Sequence, residues 1–300
     1  AAFDIVSYGR RGPGQPTRFT REQIEQIART VRRVPEVMVK VSGGAKTTRG
    51  AEAHFQYISR QGELEVETDD GERLVGKDVA AKLVEDWDLE IDAGLDRWRA
   101  MERGGRRQTK LVHNIILSMP SGTSPNRLLA ASRDFAREEF ALMHRYAMVL
   151  HTFETDPDPH PSAHPHVHMT VKAAGLDGVR LNPRKADLQR WREGFAEALR
   201  EHGIEATTTS RIHRTTHERW RVQHLRDRLT KAKVLDRKKR ETHTPGKHQE
   251  VIHHYKQVMK TLARSERGED RQLAVDLVRY LQGRGRAPGI ERERGKDRER

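Results

Sequence analysis

Five of the sixteen histidines in the chain fall within eighteen residues, at His151, His160, His164, His166 and His168. Beyond a Pro/Asp/Ser-rich stretch, His166-Val-His-Met-Thr-Val-Lys alternates with a period of two, the pattern of a half-buried strand. Residues i and i+2 share one face of a strand, so His166 and His168 present two imidazoles side by side, a spacing that can hold one divalent cation. A second strand, running from Ala147 to Thr152, ends at His151 and offers a third nitrogen once the connecting loop folds back. Glu154 is near enough in sequence to serve as a fourth ligand or as an acceptor for a ring N–H. The chain contains no cysteine, so disulfides and thiolate sites are excluded and any metal must sit on nitrogen and oxygen ligands.

These strands need a scaffold, and composition limits its size. Three hundred residues allow one or two domains. Hydrophobic residues make up 34% and charged residues another 34%, so the chain fills one ordinary core and leaves much of itself solvated or partnered. A formal charge of +13 points to a polyanion, either nucleic acid or an anionic membrane face. No apolar run reaches the ~18 residues needed to span a bilayer, and no secretory signal is visible. The expectation is therefore a cytoplasmic protein without membrane insertion. The first residue is not Met and the last residues are a charge run, the pattern of a fragment or a processed form.

Periodicity and punctuation predict the elements. Residues 1–35 read as a flexible opening followed by an amphipathic helix, with Thr20 as N-cap and Ile24, Ile27, Ala28 and Val31 on one face. A short strand follows at Val37–Ser42. A helix from about Thr48 to Arg60 carries Ala51, Phe55 and Ile58 as its stripe and stops at Gly62. A small hairpin over residues 64–75, one helix over 78–102 and a central strand at 111–119 come next. A helix over about 126–146, the two histidine strands, a helix over 186–202 and a β-prone stretch at 204–209 complete this part. Residues 217–283 read as basic helices broken at Pro245-Gly246, and the last fifteen residues as disordered. The predicted organisation is an N-terminal segment (1–35), a domain carrying the histidine strands (36–215) and a basic helical region (216–300). Irregular alternation of strands and helices, with no glycine-rich phosphate loop, argues for an α+β fold over a doubly wound sheet.

Three stretches in order carry a resemblance. Val39-Lys-Val-Ser-Gly-Gly-Ala-Lys-Thr with Phe55-Gln-Tyr-Ile-Ser-Arg-Gln-Gly-Glu-Leu-Glu resembles the first motif of conjugative relaxases of the P mobilisation type. That group includes the border nickase of tumour-inducing plasmids. His113-Asn-Ile-Ile-Leu-Ser-Met-Pro-Ser-Gly-Thr resembles the second motif, and His151 with His164-Pro-His-Val-His-Met-Thr-Val the third, the histidine motif of HUH endonucleases. Fourteen residues separate His151 from His166, more than the family usually has, which leaves His164 or His160 as substitutes for the third ligand.

The resemblance implies an HUH-endonuclease-like fold, with a central antiparallel sheet flanked by helices and followed by a basic, mostly helical C-terminal region. It also implies a transesterase acting on single-stranded DNA at an origin of transfer, with Mg²⁺ or Mn²⁺ as cofactor and a basic tail for relaxosome accessory proteins or a type IV secretion coupling protein. Tyr57 would be the nucleophile and His151, His166, His168 and His164 the candidate metal ligands. A phenol of pKa near 10 attacks poorly at neutral pH, so it needs a base or a cation beside it. Asp86 and Asp88, flanking Trp87, are candidates to take its proton or to hold a histidine ring. Lys46, Arg49, Arg60, Arg106, Arg107 and Ser118 are candidate DNA contacts, with Arg103 and Lys110 beside them. Two other readings stay open: an HUH replication initiator or transposase, and a non-catalytic basic DNA-binding protein of the relaxosome.

Overall fold

The structure is a computed structural model that describes residues 19–32, 34–102, 104, 109–158, 161–208 and 245–282. It divides the chain into two units, Pro35–Thr208 on one hand and Ala1–Val34 with Thr209–Arg300 on the other. The flexible opening, the basic stretch up to residue 244 and the charged end lie outside the described residues.

The Pro35–Thr208 unit is built on six strands: β1 (Met38–Gly43), β2 (Val66–Thr68), β3 (Arg73–Leu74), β4 (Val112–Ser118), β5 (Tyr146–His151) and β6 (His166–Lys172). Their spatial order is β1-β4-β6-β5-β2-β3, and every neighbouring pair is antiparallel. The two histidine strands are therefore neighbours. In register, His151 lies opposite His166, and Val149 opposite His168. Directly opposed residues share a face of the sheet, so all three imidazoles rise from the same side.

That side is covered by α2 (Thr48–Ile58), α3 (Val79–Asp86) and α4 (Leu89–Glu102), whose Phe55, Ile58, Leu83 and Trp87 pack with Val112, Ala147 and Val149 of the sheet. The other side packs α5 (Pro125–Phe140) and α6 (Lys185–Glu201) through Phe135, Trp191 and Phe195 against Ile115, Leu117, Val167 and Met169. Antiparallel strands with helices on both faces make this an α+β fold.

Local sequence explains α2. The Thr47 hydroxyl accepts from the Gly50 N–H at 3.1 Å as N-cap, and Ala51, Phe55 and Ile58 bury completely at helical spacing. Truncating Phe55 would cost roughly 3–5 kcal/mol and loosen the helix that carries Tyr57. After Ser59 the chain turns sharply: Arg60, Gln61 and Gly62 all take positive φ, at 50°, 59° and 87°. Gly62 is required there, since a Cβ would fall 2.0 Å from the Gly76 carbonyl oxygen. For the two non-glycines the left-handed region costs about 1–2 kcal/mol each, so the surrounding structure must hold them.

Three elements differ from the sequence expectation. The helix expected over 78–102 breaks at Asp88, whose φ of 52° ends α3 behind the buried Trp87. The helix expected to reach residue 146 stops at Phe140, because Tyr146 begins β5. Residues 204–209 form no strand among the described residues; Thr207 makes only an isolated parallel bridge to Glu36.

In the other unit, α1 (Arg21–Val31) has Thr20 and Gln23 as a reciprocal capping box. Its Ile27 and Val31 share a buried cluster with Tyr255, Val258 and Leu262 of α7 (Pro245–Ala263) and Leu277 and Tyr280 of α8 (Gly268–Leu281). Helices more than two hundred residues apart in sequence thus form one small core.

Candidate active site

His151, His166 and His168 converge, with ring centroids 4.6–5.2 Å apart. One ligand atom from each lies within 4.8 Å of the others. Backbone carbonyls fix two of the rings. His151 donates its Nε2–H to the Ile58 carbonyl at 2.7 Å, and His166 donates its Nδ1–H to the His164 carbonyl at 2.9 Å. That leaves lone pairs on Nδ1 of His151 and Nε2 of His166. Burial, reinforced by the neighbouring rings, lowers the pKa of His168 to about 3, and burial also lowers that of His151. Both are neutral at physiological pH, as metal ligands must be.

Tyr57 stands over this cluster. Its side chain is exposed, and its ring meets His168 edge-on with centroids 6.1 Å apart. One turn back on α2, His54 lies 6.4 Å from the Tyr57 ring, with its own Nε2 buried and unpartnered among the described residues.

The Arg60 guanidinium lies 4.8 Å from the centre of the Tyr57 ring. It is gripped by Asp156 through Nε–Oδ1 at 2.6 Å and Nη2–Oδ2 at 2.9 Å, a bidentate pair of the strong kind. That pair, foremost, holds the Asp156 carboxyl far below the usual carboxylate range and raises the Arg60 pKa. The same Oδ2 sits 3.0 Å from His151 Nδ1. With its Nε2–H given to Ile58, that nitrogen is an acceptor facing another acceptor. Such a contact is stable only with positive charge beside it. Arg60 Nη2, 3.4 Å from Nδ1, supplies some of that charge, and a cation on the three nitrogens would supply more. The donor set and this acceptor pair therefore fit a divalent metal.

Residues 57–204 match the family described as "Relaxase: MobA/VirD2-like, nuclease domain". They belong to it. Among curated proteins, the chain is 30% identical over 197 residues to the T-DNA border endonuclease VirD2 of Rhizobium radiobacter, covering 61% of this chain and 44% of that protein. It is 29% identical over 198 residues to VirD2 of Rhizobium rhizogenes, covering 61% of this chain and 43% of that one. The chain thus spans less than half the length of the curated relatives it matches. A solved structure from work on the molecular basis of vancomycin resistance transfer in Staphylococcus aureus aligns with 59% of this chain and 99% of its own, at 13% identity and a TM-score of 0.34.

In this relaxase domain several residues singled out from sequence have other work. His164 is exposed and stands outside the ligand group. Its Nδ1 accepts the Ser121 N–H at 2.9 Å, and its carbonyl orients His166. The long loop did not displace His151 from the imidazole cluster, because strand register, not loop length, sets its place there; His160 lies outside the described residues. Asp86 does not reach the histidines. It pairs with Arg145 at 2.7 Å, just before β5 and at the opposite end of that strand from His151. Asp88 is exposed at the helix break. Ser118 is buried and donates to the Pro165 carbonyl at 3.3 Å, so its hydroxyl is not offered to DNA. Arg60 is committed to Asp156 and Tyr57 rather than to a strand backbone.

Arg49 is exposed on the first turn of α2, and Lys46 is half-buried just before it. Arg103, Arg106 and Arg107 lie outside the described residues. Glu154 is exposed and outside the ligand group. Asp156 is the residue that sequence reasoning passed over, although it lies five positions after His151 in the same Asp/Pro-rich loop.

Proposed function

We propose that the chain nicks one strand of DNA at an origin of transfer, with Tyr57 as nucleophile and a divalent cation on His151, His166 and His168. The observation that carries this reading is the exposed Tyr57 ring resting edge-on against His168 within the three-imidazole cluster. A divalent ion there would neutralise a non-bridging oxygen of the scissile phosphate and polarise the phosphorus. Three imidazoles suit Mn²⁺ better than Mg²⁺, which prefers an all-oxygen shell.

The chain's own residues do the rest. The Tyr57 oxygen attacks phosphorus, the P–O3′ bond breaks, the phenolic proton passes to solvent or a nearby base, and the departing oxygen takes up a proton as a 3′-OH. A 5′-phosphotyrosine keeps the bond energy, so the same site can rejoin strands. Arg60, held by Asp156, keeps positive charge beside the phenol as the phosphate approaches. Transesterification needs no activated water, which agrees with a nucleophile that is the protein's own side chain.

We assign this activity to plasmid or mobile-element transfer in the bacterial cytoplasm, with relaxosome accessory proteins and a secretion coupling protein as partners. Among the described residues no helix is long and apolar enough to cross a membrane. The test is incubation of the protein with single-stranded oligonucleotides and Mn²⁺. A covalent protein–DNA adduct that Tyr57→Phe abolishes supports the reading; DNA binding without any adduct overturns it in favour of a binding protein.

A further inference from the structure

A cavity of about 490 Å³ opens at the far end of the sheet from the histidines, within the usual size range of small-ligand sites. His113 lines it, five residues along β4 from Ser118, the residue opposite His166; at strand rise that is roughly 17 Å. His113 shares a face with Ile115 and Leu117, whereas Ser118 and Ile116 share the face of the catalytic imidazoles, so the cavity is separate from the nicking site.

Lys46, Lys110 and Arg180 give the cavity its charge, and Leu181 and Leu188 part of its apolar wall. One carboxylate, Asp96, opposes those three cations. Lys110 Nζ donates to the Gly43 carbonyl at 3.0 Å, Arg180 Nη2 donates to the Lys110 carbonyl, and Arg180 Nη1 pairs with Asp96 at 3.8 Å. Lys46 makes no hydrogen bond or ion pair among the described residues. In the wall, His113 is 7% exposed and donates its Nε2–H to the Leu181 carbonyl at 2.9 Å. Its Nδ1 is then a buried acceptor, and it has no partner among the described residues. Leaving such a group unsatisfied has a real cost, and a bare anion would not relieve it, since lone pair would face lone pair. A ligand that satisfies both features carries a phosphate for the cations, a ring N–H for His113 and an apolar face for the leucines.

We propose that this cavity holds one nucleotide of the bound single strand, its phosphate among Lys46, Lys110 and Arg180 and its base against His113. The choice of a strand over a free nucleotide rests on the DNA reading above. The test is calorimetric titration of the full chain, without metal and at low salt, with thymidine monophosphate, whose N3–H is the ring donor, and, separately, inorganic phosphate. The nucleotide should bind more tightly than phosphate. Lys46→Glu, a change at a half-buried loop residue with no partner to lose, should weaken nucleotide binding about ten-fold. An unlabelled single-stranded oligonucleotide should displace the nucleotide.

Failure to bind the nucleotide, equal affinity for phosphate, indifference to Lys46→Glu, or no displacement by the oligonucleotide each overturns the proposal. None of these readouts needs cleavage. Lost nucleotide binding with normal adduct formation rejects the cavity alone, and normal nucleotide binding without any adduct rejects the nicking reading alone.

Discussion

Replacing Asp156 by Ala should damage both the stability and the activity of the relaxase domain. The carboxylate is held on Arg60 at 2.6 and 2.9 Å, and the two side chains are only 3% and 14% exposed. Removing one partner of a buried ion pair typically costs about 3–5 kcal/mol. The Arg60 head lies near enough to solvent to recover some hydration, so the lower end, about 3 kcal/mol, applies. For a unit the size of Pro35–Thr208 that corresponds to a melting shift of roughly 6–12 °C. Arg60 also occupies left-handed backbone and reaches Tyr57 and His151, so its release should misplace the phenol.

Scanning calorimetry and single-turnover adduct formation measure the two effects. Asp158→Ala is the control: Asp158 meets Arg60 only at 3.5 Å and is 40% exposed, and its loss should cost less than about 1 kcal/mol. A double-mutant cycle of Asp156→Ala with Arg60→Ala should show strong coupling. An Asp156→Ala protein that melts and cleaves like the parent would refute the idea that this loop carboxylate organises the site.

Three other outcomes follow from the same geometry. His168→Ala should abolish adduct formation at every Mn²⁺ concentration while leaving salt-sensitive binding to single strands largely intact, as measured by anisotropy; equal loss of both would make the histidine a fold residue. Burial lowers the pKa of His54 to about 4 from an ordinary 6.5, so the unfolded chain takes its proton first. Its contribution to stability is therefore complete above pH 6.5 and lost as pH falls toward 4, and metal-free melts of His54→Leu should show a shallower acid slope across that window. Deleting residues 209–300 should preserve cleavage of short oligonucleotides, since Tyr57 and the three-histidine cluster proposed to nick all lie within Pro35–Thr208; a truncated chain that folds but no longer cleaves would contradict this.

How legible the site was in the sequence depended on which physical rule set each contact. The histidine cluster was readable because period-two alternation fixes the face of a strand, and because β5 and β6 pair with His151 opposite His166. Loop length pointed the other way and did not matter, since two paired strands place their ends together whatever joins them. The burial stripe of α2 was readable from helical spacing, and with it the exposure of Tyr57. Asp86 failed as an acid–base candidate because sequence proximity to a tryptophan says nothing about which end of the sheet the helix meets, and Arg145 claims it there.

Asp156 and its grip on Arg60 were hidden for a related reason: the pairing spans 96 positions and depends on a turn with two successive left-handed non-glycine residues that no local propensity favours. A chain that keeps such costly backbone next to the exposed Tyr57, and commits a buried carboxylate to hold it, is organised around where one guanidinium lies. That is why the loop between the histidines, which looks from sequence like a departure from its family, is better understood as the part of the site that reaches across to the tyrosine.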